Sequence, residues 1–307
     1  MWVFRTPLSR VTLQGRSLSW PRCRPHPRLS FSRGHPVHLV SHRAAGVSPS
    51  TSWSTTATHV TAAIAAPQNV MHSIAPPSVV FFDCDDCLYK NDWKVASMLT
   101  TKIESFCLTR MSMREGHAYE LYKSYGTCLR GMQEEGLMDE ALLEEYLEYC
   151  HDIPLHLHIS PDPELRQMLQ AITLPKWVFT ASTKPHATRC LELLGILDLF
   201  EGIIDVRAVG WLTKHNPDAY RKAMSIAGVT QEPSECLFLD DSTSNMRAAK
   251  AVGWRTVLVG QCARDSGDAI VCEHADYAVD QVHELRRIMP ELFLGAGAGE
   301  GAGVGAA

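Results

Sequence analysis

Six short apolar runs, separated by stretches of helical periodicity, constrain this chain more than any other feature. They are Val79–Phe82, Trp177-Val178-Phe179, Ile203-Ile204, Leu237-Phe238-Leu239, Thr256–Val259 and Tyr277-Ala278-Val279. Runs this short, without polar alternation, read as strands buried on both faces, as in a parallel sheet. Helical patterns over Pro185–Leu194, Pro217–Ala227 and Ser244–Val252 fill the gaps, with Gly195, Gly228 and Gly253 as stop signals. The alternation predicts an α/β fold: a Rossmann-like parallel sheet with helices on both faces. One interval breaks the rhythm. From about Lys94 to Gln170 only helical patterns occur, including Lys94–Thr109, Arg114–Tyr125 and Asp139–His151. That is too long for a crossover, so residues 93–170 are expected to form an inserted helical cap. Residues 76–92 and 171–290 would then build the core.

The two ends differ in composition from this body. Residues 1–82 carry eight Arg and no Lys, Asp or Glu, which leaves the remainder with 21 basic and 34 acidic side chains. A body so acidic repels polyphosphate backbones, which argues against a nucleic-acid partner. The acid-free, Arg- and Ser-rich residues 1–75 have the composition of a transit peptide for a mitochondrion or plastid. The alternatives are a disordered basic extension on a cytoplasmic protein, or sequence lying upstream of a start at Met71. Residues 291–307 are dominated by a Gly/Ala-rich stretch of the kind that stays disordered. No stretch approaches the roughly 18 apolar residues of a membrane span. Ten scattered Cys argue for a reducing compartment rather than a disulfide scaffold.

The chemistry begins where the first run ends. Phe82-Asp83-Cys84-Asp85-Asp86-Cys87 places three carboxylates just beyond a buried strand. Ligand sites of open α/β sheets lie outside the carboxyl ends of the strands. Residues two apart on an extended chain share a face, so Asp83 and Asp85 can converge on one group. Such a pair repels itself, and a bound Mg²⁺ would relieve that cost. A polar turn capping the next helix would have the same spacing.

Three further segments stand at the ends of later runs. They are Phe179-Thr180-Ala181-Ser182, Lys214-His215-Asn216-Pro217-Asp218-Ala219-Tyr220 and Leu239-Asp240-Asp241-Ser242-Thr243-Ser244-Asn245. With the Asp83-x-Asp85 segment, they resemble the four motifs of the haloacid dehalogenase superfamily, in the family's order, across about residues 77–285. Within it, Phe82–Lys90 and Tyr125-Gly126-Thr127-Cys128-Leu129-Arg130-Gly131 resemble pyrimidine 5′-nucleotidases and related nucleotide phosphatases.

The resemblance implies a phosphomonoester hydrolase with a helical cap. Asp83 would attack phosphorus to form an aspartyl-phosphate. Asp85 would act as general acid and then base, its pKa raised by the crowd of Asp83, Asp86, Asp240 and Asp241. Mg²⁺ would be held by Asp83, the Asp85 main-chain carbonyl and Asp241, with Asp240 acting through water. Lys214 would add positive charge, and Thr180 with the neighbouring positions Ala181 and Ser182 would grip the phosphoryl oxygens. Asn245 would orient Asp241 or Lys214. Ala181 stands where relatives often have Asn, which implies one substrate hydrogen bond fewer, and His215 replaces a common Pro. Arg130, in the cap, is the candidate for recognising the leaving group.

The implied substrate is a small phosphorylated metabolite, a nucleoside monophosphate first, with a sugar phosphate or lysophospholipid as alternatives. A mutase, and a non-catalytic regulatory relative, are further readings. Dehalogenation is disfavoured because that branch lacks the second acid that Asp85 provides. Cys84-x-x-Cys87 and His156-x-His158 are read as incidental.

Overall fold

All six apolar runs form strands. A computed structural model of the chain describes residues 76–90, 92–230, 232–260, 262 and 267–293. The transit-like residues 1–75, Met71 and the Gly/Ala stretch from residue 294 onward lie outside the described residues. In chain order the elements are strand β1 (Val79–Phe82), helices α1 (Lys94–Thr109), α2 (His117–Tyr125), α3 (Cys128–Glu134), α4 (Glu140–His151) and α5 (Pro163–Gln170), then β2 (Lys176–Phe179), α6 (Lys184–Leu194), β3 (Gly202–Ile204), α7 (Pro217–Ile226), β4 (Cys236–Asp240), α8 (Thr243–Val252), β5 (Arg255–Val259), β6 (Tyr277–Val279) and the single turn α9 (Leu285–Ile288).

The sheet has the order β3-β2-β1-β4-β5-β6, and every pairing is parallel. The chain runs outward from β1 to β3 and then returns to lay β4 on the other side of β1. The crevice between β1 and β4 is therefore the topological switch point, where ligands of such sheets bind. Alternate strand residues point to opposite faces and seed two cores. Val80, Phe82, Leu237, Leu239 and Val257 pack on one face with Leu165, Leu169 and Leu191. Phe81, Phe179, Phe238 and Leu258 pack on the other with Tyr220, Met246 and Trp254. Phe81 stacks on Trp254 at 4.6 Å, a contact worth about 0.5–1.5 kcal/mol beyond its buried area.

A third cluster centres on α1–α4, built on Phe106, Leu121, Met132, Tyr146 and Leu147, with Trp211 packing on it from the loop before α7. Two boundaries differ from expectation. Leu165, Met168 and Leu169 of α5 join the cluster of the sheet, so α5 packs with the core although it was expected in the cap. An amphipathic stripe looks the same whichever layer it faces. Leu292 is buried in the same cluster, so the packed body runs past residue 290 to at least Phe293. The expected single helix to Tyr125 is followed by a separate α3: Gly126, at φ +87°, ends α2, and the Thr127 side chain caps α3 by accepting from the Arg130 N–H at 3.0 Å.

Candidate active site

Asp83 is the first residue beyond β1 and Asp240 the last of β4, so the adjacent strands deliver both carboxylates to one edge. The Asp83 N–H donates to the Leu239 carbonyl at 2.8 Å, continuing the ladder to the site itself. Carboxylate oxygens of Asp83, Asp240 and Asp241 lie within 4.8 Å of one another. Lys214, only 4% exposed, enters from the loop before α7. Its Nζ donates to Asp83 Oδ1 at 2.5 Å, Asp240 Oδ2 at 2.6 Å and the Phe179 carbonyl at 3.2 Å. An ammonium has three donors, and all three are used. The Tyr220 hydroxyl holds this loop against α8, lying 3.0 Å from the Lys214 carbonyl and 2.9 Å from that of Asn245.

Charge dominates the centre. Burial pushes Asp83 up to about 8; Lys214 pulls it back, and Asp240 adds to the rise. Burial, then Asp240, Asp83 and Asp86, push Asp241 well above the usual carboxylate range. Burial disfavours the Lys214 charge, but Asp240 and Asp83 outweigh it and raise the lysine further. If all three carboxylates ionise, Lys214 offsets one charge and two remain, a repulsion that adds to burial in raising Asp83 and Asp241. An all-oxygen donor set with that deficit fits Mg²⁺, which takes hard oxygen ligands.

The remaining predicted residues divide. Thr180 is buried beside Phe179; its Oγ1 accepts from the Ser182 N–H at 3.0 Å and keeps its own hydrogen for donation. Ala181 is exposed at the end of β2. Asn245 was expected to orient Asp241 or Lys214. Instead its Nδ2 donates to both oxygens of Asp240, at 2.9 and 3.0 Å, because the first turn of α8 turns back on β4. Arg130 forms an ion pair with Glu134, one turn along α3.

Asp85 departs most from expectation. Its carboxylate accepts from Tyr89 Oη at 2.5 Å and His186 Nε2 at 2.8 Å, and it does not share the Lys214 cluster. Burial would raise its pKa, but the His186 charge and hydrogen bond, with the Tyr89 hydroxyl, hold it down at about 2. The expected rise toward neutrality is therefore not found. Its acidic neighbours act less strongly on it than two donors in direct contact. Burial works against charge on His186, but Asp85 dominates and lifts it to about 10.

Sequence reasoning missed two histidines here. His186, on the first turn of α6, carries no motif signal. His151 ends α4; its Nδ1 lies 2.7 Å from the Leu147 carbonyl and its Nε2 2.8 Å from Ser182 Oγ. Cap and core also meet at Gly126, where a Cβ would stand 2.5 Å from His215 Nδ1. The Tyr125–Gly131 segment thus lies against the loop that carries Lys214.

Residues 77–253 match the family described as haloacid dehalogenase-like hydrolase. Phosphate metabolism protein 8 of Saccharomyces cerevisiae is 29% identical over 197 residues, 59% of this chain and 60% of that protein. The match therefore spans less than two thirds of the yeast protein's length. Phosphoglycolate phosphatase of Aquifex aeolicus is 24% identical over 186 residues, 59% of this chain and 83% of its own. Among solved structures, β-phosphoglucomutase of Clostridium difficile aligns with a TM-score of 0.50 at 17% identity, covering 71% of this chain and 97% of that one, a likeness of fold. The family match covers more than half of the chain and takes in Asp83, Lys214, Asp240 and Asp241, so this protein belongs to the haloacid dehalogenase-like hydrolases.

Proposed function

We propose that the protein is a Mg²⁺-dependent phosphomonoester hydrolase working through an aspartyl-phosphate on Asp83, with a pyrimidine nucleoside 5′-monophosphate as substrate. The observation that carries the reading is the buried Lys214 bridging Asp83 and Asp240, with Asp241 beside them. A phosphate dianion entering there would meet Lys214 and the Thr180 hydroxyl, which neutralise its equatorial oxygens. Asp83 Oδ attacks phosphorus while the ester oxygen leaves, and water then cleaves the acyl phosphate. Asp83, Asp241 and the Asp85 carbonyl would hold Mg²⁺, which when bound screens the attacking carboxylate from the phosphate.

Asp85, ionised against His186 and Tyr89, is set as the base for the second step. For the first step it must be protonated, and the negative charge of a bound phosphate raises its pKa in that direction. The names of the yeast and Aquifex relatives support phosphate-ester chemistry. The nucleotide assignment rests on the nucleotidase-like Tyr125–Gly131 segment and its approach to His215. Phosphate release from nucleoside monophosphates, sugar phosphates and lysophospholipids, measured with and without Mg²⁺, tests both levels. Fastest turnover of UMP or CMP is expected. Preference for a sugar phosphate would remove the nucleotide assignment, and no turnover of any ester would remove the hydrolase mechanism.

A further inference from the structure

A second group of ligand-bearing side chains converges beside Asp85. The thiols of Cys84 and Cys190 and the Asp85 carboxylate place their ligand atoms within 4.8 Å of one another. His186 Nε2 lies 2.8 Å from Asp85 Oδ1 and 3.6 Å from Cys190 Sγ. Both cysteines are free thiols and, like His186, buried. Cys87, the other cysteine of the motif, is occupied elsewhere, its thiol facing the Leu239 carbonyl at 3.5 Å. The proposed hydrolysis uses neither Cys84 nor Cys190.

We propose that Cys84, Asp85, His186 and Cys190 form a site for a borderline-soft divalent cation of the Zn²⁺ class, distinct from the all-oxygen site at Asp83, Asp240 and Asp241. The placement follows from the elements. Cys84 and Asp85 are adjacent on the loop after β1, and His186 and Cys190 are four apart on α6, hence on one helix face. Two sulfurs, one imidazole and one carboxylate make a four-ligand set that Mg²⁺ does not favour and Zn²⁺ does. With Zn–S near about 2.3 Å and Zn–N near about 2.0 Å, a tetrahedral site has an S···N edge of about 3.5 Å. The Cys190–His186 separation is 3.6 Å. The shorter Asp85–His186 distance is a hydrogen bond; it would open by roughly half an ångström when the metal replaces the shared proton.

Binding releases that proton and the two thiol protons to solvent, with no change of oxidation state. The side chain of Asp85 is partly exposed and offers the entry path. His186 Nδ1 is buried without a hydrogen-bond partner. A ligating imidazole that lacks such support loses about 10- to 100-fold in metal affinity, which makes the site reversible rather than a permanent structural centre. Occupancy would commit Asp85 and stop turnover; that consequence rests on the hydrolase reading, whereas the binding does not.

The test is a titration of the full chain, reduced with a phosphine and held in excess Mg²⁺, with Cd²⁺ as probe. The sulfur-to-cadmium charge-transfer absorbance should saturate at one equivalent and be displaced by Zn²⁺. The double variant Cys84→Ser/Cys190→Ser should lose it. His186→Asn removes a direct ligand and should weaken it by more than the roughly 10- to 100-fold that loss of an outer-shell partner costs. Should the double variant misfold, Cys190→Ala, which only trims a buried thiol, should still remove about half of the absorbance per ion. Absence of the band in the unaltered chain overturns the site. So does a band that survives either cysteine variant at full strength, which would place the metal at other thiols of the chain. Hydrolysis of p-nitrophenyl phosphate that continues with the metal bound would leave the site standing and refute the role given to Asp85.

Discussion

His151 at the end of a cap helix and Ser182 on the loop after β2 meet at 2.8 Å, so one hydrogen bond ties the cap to the phosphate-facing end of the sheet. Burial, and then the neighbouring His186, push His151 down to about 4. It is neutral at pH 7, with Nδ1–H given to Leu147 and Nε2 open to the Ser182 hydroxyl. An unfolded histidine titrates near about 6.5. Between that value and 4 the unfolded chain binds the extra proton, so this residue makes stability fall as pH drops. The Tm of His151→Asn should therefore decline less steeply than that of the unaltered chain from pH 6.5 to 4. Parallel curves would show that His151 is not buried as a neutral base.

Asp83→Asn should abolish turnover while keeping the fold. The amide is no nucleophile, and it removes a carboxylate whose charge burial already disfavours. Loss of phosphate release with an unchanged circular dichroism spectrum is the expected result.

Chelation should stop the reaction, and Mg²⁺ should restore it. Asp241→Ala should shift the Mg²⁺ saturation curve to higher concentration, since one of three converging carboxylates is lost. An unchanged curve would place the ion elsewhere.

Asn245→Leu should destabilise the protein by about 1–3 kcal/mol, because a fully buried Asp240 loses both amide donations. Urea unfolding measures this. The same variant should lower kcat more than it raises KM, since Asp240 also holds Lys214.

Arg130→Ala should lower kcat/KM for the preferred nucleotide roughly 10- to 150-fold, the worth of one charged hydrogen bond, and spare p-nitrophenyl phosphate. Substrate would have to draw the guanidinium from Glu134. No loss on either substrate would leave Arg130 as a cap-helix ion pair, a pairing worth about 0.3–0.5 kcal/mol.

The central strands β1 and β4 were legible because a fully buried strand favours apolar residues, whereas β6, at the sheet edge, buries only Val279 and was legible from the turn-forming residues around it. The four acidic or basic residues at the centre were legible for a related reason: strand ends aim Asp83, Asp240 and Asp241, the loop before α7 brings Lys214, and the motif order supplies their register. The environment of Asp85 was not. It depends on His186, 101 residues away in sequence, and nothing local to either residue encodes their meeting. Asn245 was seen but given the wrong partner, since the turn of α8 relative to β4 is a property of packing. The separate helix α3 was within reach, because Gly126-Thr127 is a stop followed by a cap.

The place of β1 in the sheet has a consequence for how the chain is made. Val80 pairs with Lys176 and Phe82 with Leu239, so the first strand to leave the ribosome has both partners still unsynthesised. The helices α1–α4 that follow it supply every fully buried member of a cluster of their own, and only Trp211 packs on it from later in the chain. The cap can therefore mature early, while Val79–Phe82 waits as an unpaired apolar edge of the kind that aggregates or recruits chaperones. Asp83 reaches Asp240 only once β4 has docked, which makes the centre a late product of assembly.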